Sequence, residues 1–192
     1  MSENKKGTIV IVSGPSGVGK STICREVIKR LEDVHLSVSA TTRPRAENEV
    51  EGKDYWFISK EEFEKRLYNG LFLEFAEVFD NYYGTPSDKV DEILSAGETV
   101  VLEIDVQGAR KVKRIYPDAK MVFILPPNKN KLLQRMNHRG RDDAGMSARR
   151  LDRADSEIAA AWQYYEHMII NDDLQQAVEE LVDVIKINSG GK

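Results

Sequence analysis

Cysteine is nearly absent from the sequence, since Cys24 is the only one in 192 residues. A single cysteine excludes an internal disulfide and fits a reducing compartment, so we expect Cys24 to pack in the core rather than to react. No apolar run approaches the roughly 18 residues that a membrane helix needs, and residues 1–7 lack the apolar middle of a secretory signal. The sequence therefore predicts a cytoplasmic protein without a membrane partner.

Surplus positive charge is also absent, because 28 lysines and arginines are outnumbered by 32 aspartates and glutamates. A net charge of -4 gives no overall attraction to a phosphate polymer, so we expect no nucleic-acid partner. The three histidines, His35, His138 and His167, lie far apart without paired cysteines, which gives no support for a structural zinc site. The remaining composition, 41% hydrophobic and 31% charged, is that of one globular domain.

Strand-like and helix-like segments alternate along most of the chain. Residues 8–13 are β-branched and almost continuously apolar, as in a parallel strand covered on both faces, and residues 20–31 repeat apolar side chains at helical spacing. The alternation resumes with strand-like residues 99–104, a helical segment at 109–115 and an apolar run at 121–125. This order predicts an α/β fold with a doubly wound, mostly parallel sheet in a three-layer sandwich.

A first insertion interrupts this alternation at residues 37–86. It contains strand-like stretches at 55–58 and 72–79 and a helical stretch at 60–69, with turn residues between them. Such a segment indicates a separate subdomain attached to the core.

A second insertion covers residues 128–154, where arginines crowd into a stretch with few large apolar side chains. This composition indicates a mobile lid. The chain then returns to the core through a strand at 167–170 and a last helix with apolar positions between 174 and 185. The predicted core consists of residues 1–36, 87–127 and 155–192.

A glycine-rich turn joins the first strand to the first helix. Residues 14–21 read GPSGVGKS and satisfy G-x-x-x-x-G-K-[ST] in the context that this pattern requires. Glycines let backbone N–H groups and a helix N-terminus converge on one anionic volume, which a nucleoside triphosphate fills. Lys20 then supplies a positive charge to the β- and γ-phosphates, and the Ser21 hydroxyl is placed to coordinate Mg²⁺. The residues predicted to bind the triphosphate here are Gly14, Pro15, Ser16, Gly17, Val18, Gly19, Lys20, Ser21 and Thr22.

A carboxylate near the same ion is expected where a strand ends beside the phosphates. Glu103 and Asp105 follow the apolar residues 100–102 there, and one of them would hold Mg²⁺ through water. We take Asp105, together with Ser21, as the predicted metal site. The alternative is a strand-end turn with solvated acids.

Further motifs resemble those of guanylate kinase, in order and at the spacing of that family, over nearly the whole chain. They are residues 37–55, 72–75 (FLEF), 81–85 (NYYGT), 103–108 (EIDVQG) and 169–173 (IINDD). The resemblance implies a core sheet, a GMP-binding subdomain at 37–86 and an arginine-bearing lid at 128–154. It also implies transfer of a phosphoryl group from ATP to GMP, and to dGMP, with Mg²⁺ and without a covalent intermediate.

Under this resemblance, Glu74 reads the acceptor base. Guanine presents its N1–H and its N2 amine side by side, and one carboxylate can accept from both, whereas adenine offers no such pair of donors. Ser39, Thr85 and Asp105 match family positions on the acceptor side and would complete the recognition. Taken without its family context, Glu74 is equally well interpreted as an exposed strand acid.

The acceptor phosphate needs cations and hydroxyl donors, which the resemblance assigns to Arg43, Tyr55 and Tyr83. The family carries a second arginine three positions after Arg43, where this sequence has Ala46. Either the loop shifts so that Arg45 takes over, which we favour, or GMP binds with one contact fewer.

Lid arginines are expected to stabilise charge on the group in transfer. The family's phosphate-contacting positions fall on Arg135, Arg139 and Arg150. Solvated or helix-pairing roles are predicted for Arg141, Arg149 and Arg153. A segment on the adenine side of ATP matches Asn171 and Asp172. A lid that closes only over both substrates would keep water from the γ-phosphate.

Other functions remain as alternatives. A related protein-interaction module would have lost Lys20 or the lid arginines, and a GTPase switch would carry N-K-x-D, whereas residues 128–131 read NKNK. A kinase for another nucleoside monophosphate shares most of the same features. The sequence leaves the oligomeric state open, with a homodimer among the alternatives.

Overall fold

The computed structural model describes the backbone of residues 7–138 and 144–187 and the side chains of residues 7–136 and 152–187. The strands in this part of the chain are β1 (Thr8–Ser13), β2 (Val34–Leu36), β3 (Ala40–Thr41), β4 (Trp56–Phe57), β5 (Phe72–Val78), β6 (Asn81–Pro86), β7 (Thr99–Glu103), β8 (Lys120–Leu125) and β9 (His167–Ile170). The helices are α1 (Lys20–Arg30), α2 (Lys60–Tyr68), α3 (Ser87–Ser95), α4 (Val106–Ile115), α5 (Lys129–His138), α6 (Ala144–Tyr164) and α7 (Leu174–Lys186).

Five parallel strands form the central sheet in the order β2-β7-β1-β8-β9. Side chains alternate between its faces, so Val10 and Val12 of β1 pack with α1 and α7, while Ile9 and Ile11 pack with α4 and α6. None of these four residues is more than 3% exposed, and each such burial contributes roughly 1.5–3 kcal/mol. The α/β prediction, with a parallel sheet covered by helices on both faces, is confirmed.

A second, four-stranded sheet has the order β4-β3-β6-β5. Its antiparallel hairpin β5–β6 turns at Phe79 and Asp80, whose φ angles are 49° and 61°. The Phe63 ring of α2 is fully buried and stacks on Phe72 and Tyr82, with ring centroids 4.5 and 5.3 Å away. These strands all lie within the range predicted as an insertion, and they have a small aromatic core of their own.

Several elements differ from the sequence-based predictions. Four elements were not predicted: β2, β3, β6 and α3. Of these, β3 has only two residues, and β6 contains Asn81, Gly84 and Pro86, which read as turn residues. Helix α4 begins at Val106, three residues before its predicted start. The Asp105 carboxylate caps its first turn by accepting from the Gly108 N–H at 2.9 Å.

The lid prediction falls on α5 and α6, and α6 runs as one 21-residue helix through the predicted boundary at residue 154. Arg139 and Arg141 lie outside the described residues. Arg149 and Arg150 belong to α6, but their side chains lie outside the described part.

The prediction for Cys24 is confirmed, because this residue is fully buried in the core beneath β1. In residues 7–138 and 144–187, no helix combines the length and apolar character needed to cross a membrane.

Candidate functional site

A cleft opens beyond the carboxyl ends of β1 and β7, between the glycine-rich loop and the second sheet. This is the edge where parallel sheets of this architecture usually bind ligands. Helix α6 contributes Arg153 and Glu157 to its wall. The predicted site residues that line the cleft are Gly14, Ser16, Gly17, Gly19, Lys20, Ser21, Ser39, Tyr55, Glu74, Tyr83 and Asp105.

The loop between β1 and α1 depends on glycine at both of its ends. At Gly14 a Cβ would lie 2.5 Å from the Ile124 carbonyl oxygen of the neighbouring strand. Gly19 caps α1 with a φ of 102°, in the left-handed region, and a Cβ there would lie 2.4 Å from the Asn171 amide nitrogen. The backbone can therefore curve back and direct the N-terminus of α1 into the cleft.

Lys20 lies inside this curve. Its ammonium donates to the Gly14 and Pro15 carbonyl oxygens at 2.6 and 3.1 Å. The adjacent Ser21 hydroxyl donates to Glu103 Oε1 at 2.8 Å, across from α1 to the end of β7. A hydroxyl and a carboxylate oxygen thus meet beside the positive charge of Lys20.

Of the two acids at the end of β7, Glu103 is the one that contacts Ser21. Asp105 uses Oδ1 to cap α4, and its Oδ2 accepts from Arg153 Nη2 at 2.9 Å. From the sequence, either acid was a candidate, and Asp105 was the predicted metal-site residue. The geometry favours Glu103, and a metal role for Asp105 stays a prediction.

Behind the loop, Arg135 and Asn171 converge on one backbone oxygen. Asn171 Nδ2 donates to the Val18 carbonyl at 2.7 Å, Arg135 Nη1 donates to it at 3.2 Å, and Arg135 Nη2 donates to the Asn171 carbonyl at 3.0 Å. Two predicted site residues therefore lie against the glycine-rich loop and hold the Val18 carbonyl in place. Asp172, the next residue, is exposed.

Glu74 lies on β5 at the opposite side of the cleft and is only 6% exposed. Its Oε1 accepts from the Thr85 hydroxyl at 2.7 Å. Burial raises the pKa of Glu74 to about 7; the Thr85 bond and Lys111 lower it, and the charge of Asp105 raises it. A carboxylate at this depth needs hydrogen-bond donors to remain ionised, and a ligand can supply them.

Gly108 lies between Glu74 and Asp105, the two acids predicted for the acceptor side. A Cβ at this position would be 2.3 Å from Glu74 Oε2 and 3.5 Å from Asp105 Oδ1. The first turn of α4 thus approaches Glu74 as closely as a side-chain-free residue allows. Glu74 and Asp105 are therefore parts of one packed unit.

Arg43 is held from several sides. Its Nη2 donates to both oxygens of Glu49, at 2.8 and 3.0 Å, and Glu49 also accepts from the Ala46 N–H at 2.9 Å. The guanidinium carbon lies 5.5 Å from the Tyr55 ring centroid, a cation–π distance. Burial lowers the pKa of Arg43, but the bonds with Glu49 and Tyr83 outweigh it and raise that pKa.

The two predicted tyrosines meet edge to face, with ring centroids 5.8 Å apart. Burial raises the pKa of Tyr55, and the charge of Glu103 raises it further, so its hydroxyl remains a donor at neutral pH. With Arg43 beside them, these rings form a corner whose guanidinium is paired with Glu49.

Two other predicted residues are exposed and are not among those that line the cleft. Arg45 is exposed after Pro44, and Thr22 is exposed on α1. The backbone N–H of Ala46, where the family carries arginine, is bonded to Glu49. A role for Arg45 in place of that arginine stays a prediction.

Sequence reasoning gave no part in the site to Arg153 and Glu157, although it allowed for helix pairing by Arg153. Arg153 Nε does donate to Glu157 Oε1, four residues later on α6, at 2.9 Å. The i, i+4 spacing could have predicted that pair. The link from Arg153 to Asp105 joins residues 48 positions apart, and no local pattern predicts it.

Comparisons with known proteins agree with this geometry. The guanylate kinase family model matches residues 6–188. Guanylate kinase of Carboxydothermus hydrogenoformans is 47% identical, over 94% of this chain and 88% of its own length. That of Symbiobacterium thermophilum is 48% identical, over 96% of this chain and 87% of its own length. The crystal structure of guanylate kinase from Anaplasma phagocytophilum has a TM-score of 0.80 at 32% identity, covering 95% of this chain and 86% of that one.

Proposed function

The chain belongs to the guanylate kinase family, whose enzymes transfer a phosphoryl group from ATP to GMP, and we propose how its own residues carry out that reaction. It is accordingly a phosphotransferase. The observation that carries the residue assignment is that Lys20 and Glu74 line the same cleft. The loop at 14–21 would hold ATP, and the second sheet would hold GMP opposite it.

On the donor side, we propose that residues 14–22 hold the phosphates of ATP through the N-terminus of α1 and the Lys20 ammonium. Its present bonds to Gly14 and Pro15 carbonyls would be exchanged for bonds to phosphate oxygens. Arg135 and Asn171 would act by keeping the Val18 carbonyl in place, with Asn171 and Asp172 on the adenine side.

The Ser21 hydroxyl and the Glu103 carboxylate provide oxygen ligands of the kind that Mg²⁺ prefers. Within the described residues no group of three or more acidic, histidine or cysteine side chains could hold a metal alone. Mg²⁺ in nucleotide-binding sites is commonly held by one or two side chains together with substrate phosphates. When bound, Mg²⁺ would offset the phosphate charge, and Ser21 and Glu103 are its proposed contacts, with Asp105 the alternative.

On the acceptor side, we propose that Glu74 accepts from the N1–H and the N2 amine of guanine. Burial favours this because an ionised Glu74 has few other donors, so a base lacking either group would leave a buried oxygen unpaired. Ser39, Thr85 and Asp105 would complete the recognition, with Asp105 directed at the N2 amine. GMP and dGMP would therefore be preferred to AMP as acceptors.

The acceptor phosphate would lie in the corner formed by Arg43, Tyr55 and Tyr83. An oxygen of this phosphate attacks the γ-phosphorus of ATP; the new P–O bond forms as the bond to the β-phosphate bridging oxygen breaks, giving ADP and GDP. No general base is needed, because a phosphate monoester with a second pKa near 6 is mostly dianionic at neutral pH. The protein contributes position and positive charge.

We further propose that residues 128–154 form a lid over the transferred group. Arg135, Arg139 and Arg150 lie in this segment and match the phosphate-contacting positions of the family. Charge stabilisation by a well-placed arginine contributes roughly 10³ to 10⁵ in rate.

The function is tested with a coupled ADP-release assay that offers ATP, Mg²⁺ and each of GMP, dGMP, AMP, CMP and UMP. We expect GMP to be the best acceptor, dGMP to be accepted, and AMP to have a kcat/KM at least about 10²-fold lower. Preference for AMP, or absence of turnover with every acceptor, contradicts the proposal.

The role of Glu74 is tested with Glu74→Gln in the same assay. An amide offers one acceptor and one donor to two guanine donors, so kcat/KM for GMP should fall about 10²-fold. Glu77→Gln is the matched control, since Glu77 is exposed on the same strand. Equal activity of the Glu74 variant and this control would remove Glu74 from the site.

A further inference from the structure

Arg153 connects three parts of the molecule. Its Nε donates to Glu157 Oε1 on its own helix, and its Nη2 donates to Asp105 Oδ2, both at 2.9 Å. Its guanidinium carbon lies 5.4 Å from the ring centroid of Phe79, at the turn of the β5–β6 hairpin. The side chains of Arg153, Asp105 and Glu157 are 27%, 19% and 16% exposed. This partly buried cluster is thus shared by α6, the cap of α4 and the second sheet.

Asp105 is oriented from two directions as a result. Oδ1 is fixed by the Gly108 N–H at 2.9 Å, and Oδ2 is fixed by Arg153. Each carboxylate oxygen has two lone pairs, so these bonds set the angle of the group and still leave acceptor capacity. Gly108 in turn packs against Glu74, where a Cβ would come within 2.3 Å of Oε2. An unbroken series of contacts therefore leads from Arg153 to Glu74.

Without a neighbouring cation, the Asp105 carboxylate would be repelled by the carboxylates of Glu74 and Glu157. Burial raises the pKa of both Glu74 and Glu157, and the charge of Asp105 raises each of them further. Around these groups, the charges are Lys111 on α4, the Asp105 cap, and Arg153 and Glu157 on α6; Lys20 and Glu103 line the same cleft. Among these cations, Arg153 is bonded to the carboxylate of Asp105 itself. Its loss would let repulsion turn Oδ2 away from its present direction.

We infer that Arg153 is a positioning residue for guanine recognition, which fixes the Asp105 carboxylate so that it meets the N2 amine of the base. This inference rests on the proposed acceptor site. Arg153 acts through Asp105 rather than on the substrate, and its attachment to α6 makes base recognition depend on the position of that helix. Discrimination between purines is therefore partly determined outside the second sheet.

The test compares GMP with inosine monophosphate, whose base keeps the N1–H and lacks the N2 amine. The values of kcat/KM for both acceptors, and the KM for ATP, are measured in the parent protein and in Arg153→Gln and Arg153→Lys. The matched control is Arg110→Gln, because Arg110 on α4 stacks over Tyr164 of α6 at 4.4 Å. Arg110→Gln weakens a contact between α4 and α6, the two helices that the Arg153–Asp105 bond also joins, but at a place away from the cleft.

We expect Arg153→Gln to reduce the preference for GMP over inosine monophosphate about tenfold, through a higher KM for GMP, with the KM for ATP unchanged. Arg153→Lys should recover part of that preference, and Arg110→Gln should keep all of it. An equal loss for both acceptors in Arg153→Gln, or the same change in Arg110→Gln, overturns the inference.

The outcome for the parent protein separates this inference from the proposed function. If the parent protein does not distinguish GMP from inosine monophosphate, the assignment of Asp105 to the N2 amine fails. If the parent distinguishes them and Arg153→Gln does so equally well, the acceptor site stands and only the role of Arg153 is overturned.

Discussion

The two sides of the cleft are built by different means. The side proposed for the phosphate donor, called the donor side, is largely backbone, made from one turn of eight residues at 14–21, glycine conformations and a helix N-terminus. The side proposed for the acceptor, called the acceptor side, is made of side chains from β5, β6 and several loops. Several of those side chains are already bonded to protein partners: Arg43 to Glu49, Glu74 to Thr85, and Asp105 to Arg153. A triphosphate needs only a general anion cradle, whereas one base among four needs placed carboxylates.

Because of this difference, the two sides are expected to affect the stability of the folded protein differently. Backbone N–H groups at a helix N-terminus are present in any such turn and place no charge in the core. A buried carboxylate such as Glu74 reduces stability until a ligand supplies its donors. The acceptor side should therefore lower the stability of the folded protein while it provides selectivity, and the donor side should not lower it.

The largest expected effect is on the donor side, from Lys20→Ala. Removing the only ammonium bonded within the loop in the described structure should lower kcat about 10² to 10³-fold with every acceptor. Acceptor selectivity should not change, which steady-state kinetics with GMP and dGMP would check. Lys29→Ala is the control, because Lys29 lies on the same helix and pairs on the surface with Glu26. Undiminished turnover in Lys20→Ala would contradict the donor assignment.

The second prediction concerns the stability cost at Glu74. Its pKa in the folded protein is about 7, raised by burial from an ordinary value of 4.5. The folded state therefore holds this proton more tightly than the unfolded chain, so the stability contributed by the protonated carboxyl is complete below pH 4.5 and is lost as the pH rises through 7. That separation corresponds to about 3 kcal/mol at most.

Glu74→Gln should therefore be more stable than the parent by about 2 kcal/mol at pH 8, with the difference disappearing near pH 4.5. Urea unfolding at both pH values measures this. Neither Lys20→Ala nor the exposed Glu77→Gln should show such a pH-dependent gain. A Glu74 variant that is less stable than the parent at pH 8 would show that the carboxylate is not destabilising, and the contrast between the two sides would fail.

The strand, turn and helix around residues 14–21 could be predicted from the sequence because they are local. Gly14 to Ser21 are contiguous, and the geometry follows from glycine φ angles and the strand and helix on either side. Three strands of the central sheet were likewise predictable, since β1, β7 and β8 are largely continuous apolar runs, whereas the short β2 of the same sheet was not. By contrast, β3 and β6 were not, because two-residue strands and strands that carry Asn81, Gly84 and Pro86 owe their state to pairing with neighbours.

On the acceptor side, the residues were predicted by resemblance, but their partners were not. Nothing in the sequence around Glu74 indicates that it is buried or that Gly108 packs against it. Glu103 and Asp105 could not be told apart from their shared strand end, because the choice depends on which of them contacts Ser21, 82 positions before Glu103. Long-range side-chain contacts of this kind follow from the fold and leave no local pattern.

The smallest predicted effect tests whether the acceptor side is preorganised, using Glu49→Gln. Glu49 holds Arg43 with both carboxylate oxygens and also accepts from the Ala46 N–H, in the loop where the family carries a second arginine. Glutamine keeps an oxygen for Ala46 but loses the charge and one acceptor, so Arg43 should be held less firmly. The KM for GMP should rise about fivefold while the KM for ATP and kcat change little. Glu47→Gln, an exposed neighbour in the same loop, is the control. If freeing Arg43 from Glu49 instead lowers the KM for GMP, Glu49 competes with the phosphate for Arg43, and this corner would be inhibited by its own carboxylate rather than prepared by it.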